Sequence, residues 1–270
     1  MKLITFVTCF GILSSMSILV SCKGGGKSAM SKADSVNALI TELQRGVKSN
    51  PDSIAIRYKL LDALANAERY KEAMSQTDSL IAMDSSNAVF WYKRGVLEEK
   101  TGDTVAAIHN LRASIARAPM FLEPMLELTY LLANQENAEA LTWADAIITH
   151  EESPEAVARA RFIKGVYYSN INDKEKALAA FDDCIRHNYT FMDAYIEKAI
   201  LLFDEKKYDD ALKTVQKANL VSNSFPDAYY WMGKCYEAMG NKELAIDNYK
   251  KTLGLDPDFK EAREALDRIK

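Results

Sequence analysis

A spacing of 34 residues constrains this chain more than anything else in it. Trp91, Gly95, Ala107 and Pro119 stand at the same intervals as Tyr229, Gly233, Ala245 and Pro257, namely 4, 16 and 28 residues after the leading aromatic. Ala177, Ala211 and Ala245 are 34 apart, and so are Ala73 and Ala107. Between the two best-marked copies run Gly165, Tyr168, Ala177 and Phe181, then Tyr195, Ala199 and Ala211. A fixed period of this length marks one supersecondary unit copied along the chain. Each copy is too small to bury its own apolar face and must stack on the next. The 270 residues exceed one ordinary core, and an elongated array accommodates them.

The order aromatic, small residue, Tyr, Ala, aromatic, Pro over 34 residues resembles the tetratricopeptide repeat. The fullest copy runs from Tyr229 through Gly233, Tyr236, Gly240, Ala245 and Tyr249 to Pro257. The resemblance implies an all-α fold: a right-handed α-solenoid of antiparallel helix pairs with N- and C-terminal capping helices. Gly95, Gly165, Ala199 and Gly233 are then small where the first helix meets the second. Ala73, Ala107, Ala177, Ala211 and Ala245 answer from the second helix, and Tyr168, Phe181, Tyr236 and Tyr249 fill the space left. Pro119 and Pro257 end second helices, because proline disfavours a helical residue before it.

Six repeats are expected, at 54–87, 88–121, 122–157, 158–191, 192–225 and 226–259. The third has 36 residues and is irregular. Its turn at Asn134 to Asn137 is one residue short, judged from Ala140, and its exit from His150 to Pro154 is longer. Pro124 falls in a first helical turn, where proline is tolerated. A local change of curvature is expected here. The first repeat departs too, with Arg57 for the leading aromatic and Ser85 for the proline. Val36, Leu39, Ile40, Leu43 and Val47 form one helical stripe and predict a capping helix in 34–53. Phe259, Ala262, Leu266 and Ile269, with charges elsewhere, predict another in 260–270.

The N-terminus reads differently. Lys2 is followed by an uncharged run from Leu3 to Ser21, the layout of an export signal. Leu19-Val20-Ser21-Cys22 resembles the lipobox of bacterial lipoproteins. That resemblance implies a signal peptide at 1–21, cleavage between Ser21 and Cys22, and lipidation of the Cys22 thiol. An uncleaved transmembrane anchor is the alternative, since the run is nearly long enough to span a bilayer; Ser14, Ser15 and Ser17 dilute it. Either way the remainder is exported and held at a membrane. Residues 22–33, with Gly24-Gly25-Gly26 between lysines, form a tether with a reach on the order of 20 Å. In one bacterial phylum, acids soon after the lipidated cysteine direct lipoproteins to the cell surface. The first acid here is Asp34, which predicts a periplasm-facing protein on the outer membrane of a Gram-negative bacterium.

Candidate chemistry is sparse. Net charge is −4 and no basic stripe occurs, which argues against a nucleic-acid partner. Cys184 and His187 are three apart on one expected helix, yet no further His or Cys lies near to complete a metal set. Cys184 occupies the small-residue core place that Ala218 fills one repeat later. Cys184 and Cys235 fall in repeats that do not touch, so two buried free thiols are expected. Gly24 to Gly26 open no helix after a strand and are no phosphate loop. The charged run Asp204 to Asp210 reads as a solvated turn. No catalytic constellation, metal or cofactor is expected.

In the tetratricopeptide family the first helices line a concave surface. Helical spacing puts the second, fifth, ninth, twelfth and thirteenth places of each repeat on that face. The fifth place holds Tyr58, Tyr92, Leu126, Phe162, Ile196 and Tyr230. The ninth holds Asp62, Val96, Tyr130, Val166, Ile200 and Lys234, and the thirteenth holds Asn66, Lys100, Asn134, Asn170, Asp204 and Ala238. Some chaperone-binding members grip a C-terminal carboxylate with Lys at the fifth place and Asn at the ninth; no repeat here has either. The middle of the face is apolar and aromatic, suited to an extended or helical peptide with apolar anchors. All of the fifth-place residues, and all of the ninth except Asp62, are therefore the candidate groove. The alternative is that they only pack within and between repeats, and that the asparagines cap helices.

The resemblance implies a membrane-anchored, non-enzymatic adaptor for a protein or peptide of the cell envelope. In architecture it is similar to type IV pilus pilotins, to the helical-repeat lipoprotein of outer-membrane protein assembly, and to adaptors that dock peptidoglycan hydrolases. A glycan-capturing lipoprotein on the same repeat is the rival reading. Such proteins need large insertions between repeats, and the near-constant spacing leaves no room for one.

Overall fold

The computed structural model describes residues 32–269, which form fourteen α-helices and no strand. Ser21, Cys22 and the rest of 1–31 lie outside the described residues, and with them the expected signal, lipidation site and most of the tether. Helix α1 (Lys32–Ser49) comes first. Six pairs follow: α2 (Ile54–Asn66) with α3 (Tyr70–Met83), α4 (Ala88–Lys100) with α5 (Thr104–Arg117), and α6 (Leu122–Asn134) with α7 (Glu139–His150). Then come α8 (Pro154–Asn170) with α9 (Lys174–His187), α10 (Met192–Asp204) with α11 (Tyr208–Val221), and α12 (Pro226–Ala238) with α13 (Lys242–Leu255). Helix α14 (Lys260–Ile269) closes the array.

Every pair turns by the same device. The fifteenth residue of each repeat has positive φ: Glu68, Gly102, Glu136, Asn172, Lys206 and Gly240, between 56° and 84°. The next amide then reaches back to the carbonyl five residues earlier, as from Arg69 to Leu64 and from Asn241 to Tyr236, at 2.9 and 2.8 Å. This six-to-one bond is the Schellman ending, which satisfies first-helix carbonyls and reverses the chain. Asp103, Asp173 and Asn241 then cap the second helix, their side chains accepting from Ala106, Lys176 and Leu244 amides.

The third repeat keeps its left-handed residue in register and loses its missing residue just afterwards. The Ala107, Ala177 and Ala245 amides bond four residues back, whereas the Ala140 amide bonds only three back, to Asn137. A tight first turn of α7 thus absorbs the deletion. The exit also differs from expectation. Ser153 caps α8 and Pro154 takes its first position, so the exit expected to be longer is only residues 151–153, and α8 starts before the expected 158 and has 17 residues where α6 and α10 have 13.

Side-chain volumes are matched across each pair. Places eight and twenty-four pair Gly165 with Phe181 and Gly233 with Tyr249, both rings fully buried. Repeats with a larger eighth residue have a smaller partner: Ala199 with Val215, and Leu61 with Thr77, all buried. Neighbouring repeats are clasped by acids of one second helix on cations of the next first helix. Asp78 meets Arg94, Asp145 meets Lys164 at 2.6 Å, and Asp182 meets Lys198 at 2.5 Å. Helix α6 also packs on α8, and the Asn170 amide donates to the Ala133 carbonyl at 3.2 Å. At the N-terminus Ile40 is buried among Val36, Leu43 and Val47 on α2, while Leu39 is exposed. At the C-terminus Ala262, Ala265 and Leu266 cover α13 and the charged residues face outward.

Candidate peptide-binding groove

First-helix residues divide into two groups that periodicity alone could not separate. Tyr58, Tyr92, Val96, Tyr130, Ile200, Tyr230 and Lys234 are half-buried and retain accessible surface. Leu126, Phe162, Val166 and Ile196 are not available: they are 4, 4, 5 and 9% exposed. The reason lies in packing within each repeat and against the next. The Phe162 ring sits between Phe181 of α9 and Phe191 of the connection that follows it, at 5.6 and 5.1 Å; Leu126 and Val166 lie in the same core cluster, and Ile196 lies in the next one with Ala199, Val215 and Met232. For these four residues the packing alternative holds.

The accessible residues form two stretches. On the N-terminal side Tyr92 stands edge-on to Phe121 at 5.3 Å, and the Lys93 ammonium lies 5.5 Å from the Tyr58 ring. On the C-terminal side Tyr230 stacks at 5.1 Å on Phe259, and the Lys234 ammonium lies 5.5 Å from the Phe203 ring. The asparagines partly cap: the Asn170 amide reaches both the Ala133 carbonyl and the Asn134 side chain.

Charge on this face is the feature sequence reading missed. In the N-terminal stretch acids and bases pair, Lys93 with Asp62 at 2.8 Å and Arg159 with Glu127 at 3.0 Å. Burial pulls the Lys93 ammonium down, but the Asp62 hydrogen bond and charge outweigh it and raise it. Burial, with Glu127 nearby, pushes the Glu99 carboxyl up. In the C-terminal stretch Asp193, Glu197 and Asp227 have no ion-pair partner among the described residues. Burial raises the Asp193 carboxyl, and burial plus Asp193 pushes Glu197 up to about 7. Burial also raises Asp227, with Asp193, Asp256 and Glu261 adding repulsion. The second place was on the face expected from spacing, so tabulating it alone would have found Asp193 and Asp227. Glu197, at the sixth place, follows from its i,i+4 relation to Asp193.

Other candidate chemistry dissolves on inspection. Cys184 and Cys235 are buried and unbonded, and burial pushes both thiols up to about 12. His187 is exposed, its Nδ1 on the Asp183 carbonyl at 2.8 Å, away from the buried Cys184 sulfur. Among the described residues no group of three His, Cys, Asp or Glu is placed to hold a metal ion, and no helix is long and apolar enough to cross a membrane. A hollow of about 490 Å³ on the opposite face of α8 is lined by Arg161, Lys164 and Tyr168. Its main cations are engaged, Arg161 with Asp183 and Lys164 with Asp145, both at 2.6 Å.

Comparison with known proteins agrees with this architecture. Residues 226–259 and 158–188 each match tetratricopeptide-repeat family models. Human anaphase-promoting complex subunit 7 is 23% identical over 206 residues, covering 75% of this chain and 36% of that protein. The chain therefore spans little more than a third of that relative's length. A tetratricopeptide repeat protein from Parabacteroides merdae superimposes with a TM-score of 0.70 at 20% identity, covering 88% of this chain and 93% of its own. PilW, a type IV pilus biogenesis factor, gives 0.64 at 18% identity over 78% and 97%. At these identities the structural likeness concerns fold alone. The described chain is a right-handed solenoid carrying tetratricopeptide repeats.

Proposed function

We propose that this protein is a lipid-anchored, non-enzymatic adaptor that holds a protein or peptide partner along its first-helix face, within the cell envelope. One observation carries the binding part. Two stretches of first-helix surface keep Tyr, Val, Ile and unpaired carboxylate side chains partly accessible beside a core that is already buried along the array. Such a face offers apolar anchors and polar selection together, the composition of a peptide groove. The related fold of a pilus biogenesis factor and of repeat subunits in large assemblies is in keeping with it.

The anchoring part rests on Leu19-Val20-Ser21-Cys22 and the glycine-rich residues after it. Two or three acyl chains hold durably, since each buried methylene contributes about 0.8 kcal/mol. The tether confines the groove near the membrane, where effective concentration strengthens otherwise weak binding. The distance from Cys22 to Asp34 supports a periplasm-facing protein on the outer membrane.

Two measurements test the reading. A Tyr92→Ala, Tyr130→Ala variant should keep its helical circular dichroism and lose crosslinked partners in native membranes; an unchanged partner set removes the groove from consideration. A Cys22→Ser variant should leave the detergent phase and lose palmitate labelling. Retention there would point to the uncleaved anchor instead.

A further inference from the structure

The acidic line in the C-terminal stretch follows the solenoid axis. Asp193, Asp227 and Glu261 occupy the second place of three successive first helices, α10, α12 and α14. Glu197 stands one turn further along α10 from Asp193. Nearby cations are already engaged: Arg268 donates to Glu237 at 2.8 Å, Lys234 lies over the Phe203 ring, and Arg159 is bound to Glu127.

Glu197 is the most telling member. Its side chain is half-buried, one helical turn from the Asp193 carboxyl on the same face of α10. Among the described residues it makes no hydrogen bond or ion pair. The fold does not demand an acid at this place, for Ile163 and Trp231 fill it in the flanking repeats. A half-buried, unpaired carboxyl opposed by a second carboxyl four residues away is unfavourable in isolation. A cation arriving between them relieves both the burial and the repulsion.

Resting on the groove reading above, we infer that the C-terminal half of this face receives a basic, extended polypeptide segment whose Lys or Arg side chains meet Asp193, Glu197, Asp227 and Glu261. The spacings agree. Packed helices stand about 10 Å apart. An extended segment in the polyproline II conformation has three residues per turn and rises about 3.1 Å per residue, so cations three residues apart share a face and span a similar distance. Tyr230 and Ile200 flank the line and offer apolar contact to the residues between. The mixed, internally paired charges of the N-terminal stretch make no such selection.

The test uses the full-length chain in non-ionic detergent and three fluorescent peptides of equal length. The peptides share their Leu and Phe positions and carry Lys, Gln or Glu at every third residue. Anisotropy should show the Lys peptide binding roughly tenfold or more tighter than the Gln peptide, since each tenfold step reflects one well-made charge contact of ordinary size. That preference should shrink with added salt and vanish in an Asp193→Asn, Glu197→Gln, Asp227→Asn variant, which removes repulsion and should fold at least as well. Equal binding of the Lys and Gln peptides, or tightest binding of the Glu peptide, overturns the charge selection. If binding is still lost in an Ile200→Ala, Tyr230→Ala variant, the groove reading survives that result. A Lys preference that persists in the triple variant also overturns the inference, and failure of all three peptides to bind overturns both readings.

Discussion

A Cβ built on Gly165 would run into Cε1 of Phe181, and one on Gly233 would lie 2.6 Å from Cε1 of Tyr249. Both rings are fully buried and cannot swing aside. Gly165→Ala should therefore destabilise by about 1–3 kcal/mol in urea unfolding, the range of core overpacking. Trimming the ring in Gly165→Ala, Phe181→Val copies the natural Ala199 and Val215 pair and should recover part of the loss. Glu197 supplies a second prediction at this scale. Its ordinary value is 4.5 and the folded value is about 7. Between those values the folded state holds more protons than the unfolded, so stability falls as pH rises and the deficit is complete above the folded value. Glu197→Gln should raise stability at pH 8 by about 1–3 kcal/mol and flatten the decline between those two pH values. A variant that gains stability while losing the basic peptide would mark a residue kept for binding.

At the scale of elements, the six turns share one backbone conformation with unequal residues. Gly102 and Gly240 adopt positive φ freely, whereas Glu68, Glu136 and Lys206 do so with a Cβ. Replacing Glu68 or Lys206 by Gly should stabilise each turn by up to about 1 kcal/mol, read as a shift in urea midpoint. Gly102→Ala should destabilise by a similar amount, although nothing lies within 4 Å of its added Cβ, because the strain is in the backbone. Much of this level is legible in the sequence. The Ala and Gly positions at intervals of 34 residues place both helices of a pair and their crossing. What was not legible is how the irregular third repeat resolves. Its lost residue is taken up by one tight turn in α7, and Ser153-Pro154 starts α8 before the expected 158. Both depend on which amides find carbonyls, and residue spacing leaves that undecided.

The whole molecule is a one-dimensional array in which each repeat contacts its neighbours. Its stability is then a sum of local terms, and damage should stay local. Gly233→Ala should raise amide exchange in α12 to α14 while α2 to α5 keep wild-type protection, in contrast to a single cooperative core. Removal of α14 should expose Tyr249 and Ala245, lower the melting temperature and promote self-association.

The sequence by itself determined the repeating unit, its all-helical pairing, the caps at both ends and the small-large matching inside each pair. These follow from periodicity and volume, which are local properties of the chain. It also carries the lipobox-like stretch, independently of any fold. Only the tertiary structure decided which first-helix residues remain open. Tyr92 and Phe162 occupy equivalent places, yet one keeps accessible surface and the other is buried between Phe181 and Phe191. It likewise decided that Asp193, Glu197 and Asp227 stand without an ion-pair partner among the described residues while Asp62 and Glu127 are paired with Lys93 and Arg159. Pairing of charges depends on which helices are brought side by side, and residues on separate helices become neighbours only when the solenoid closes around them.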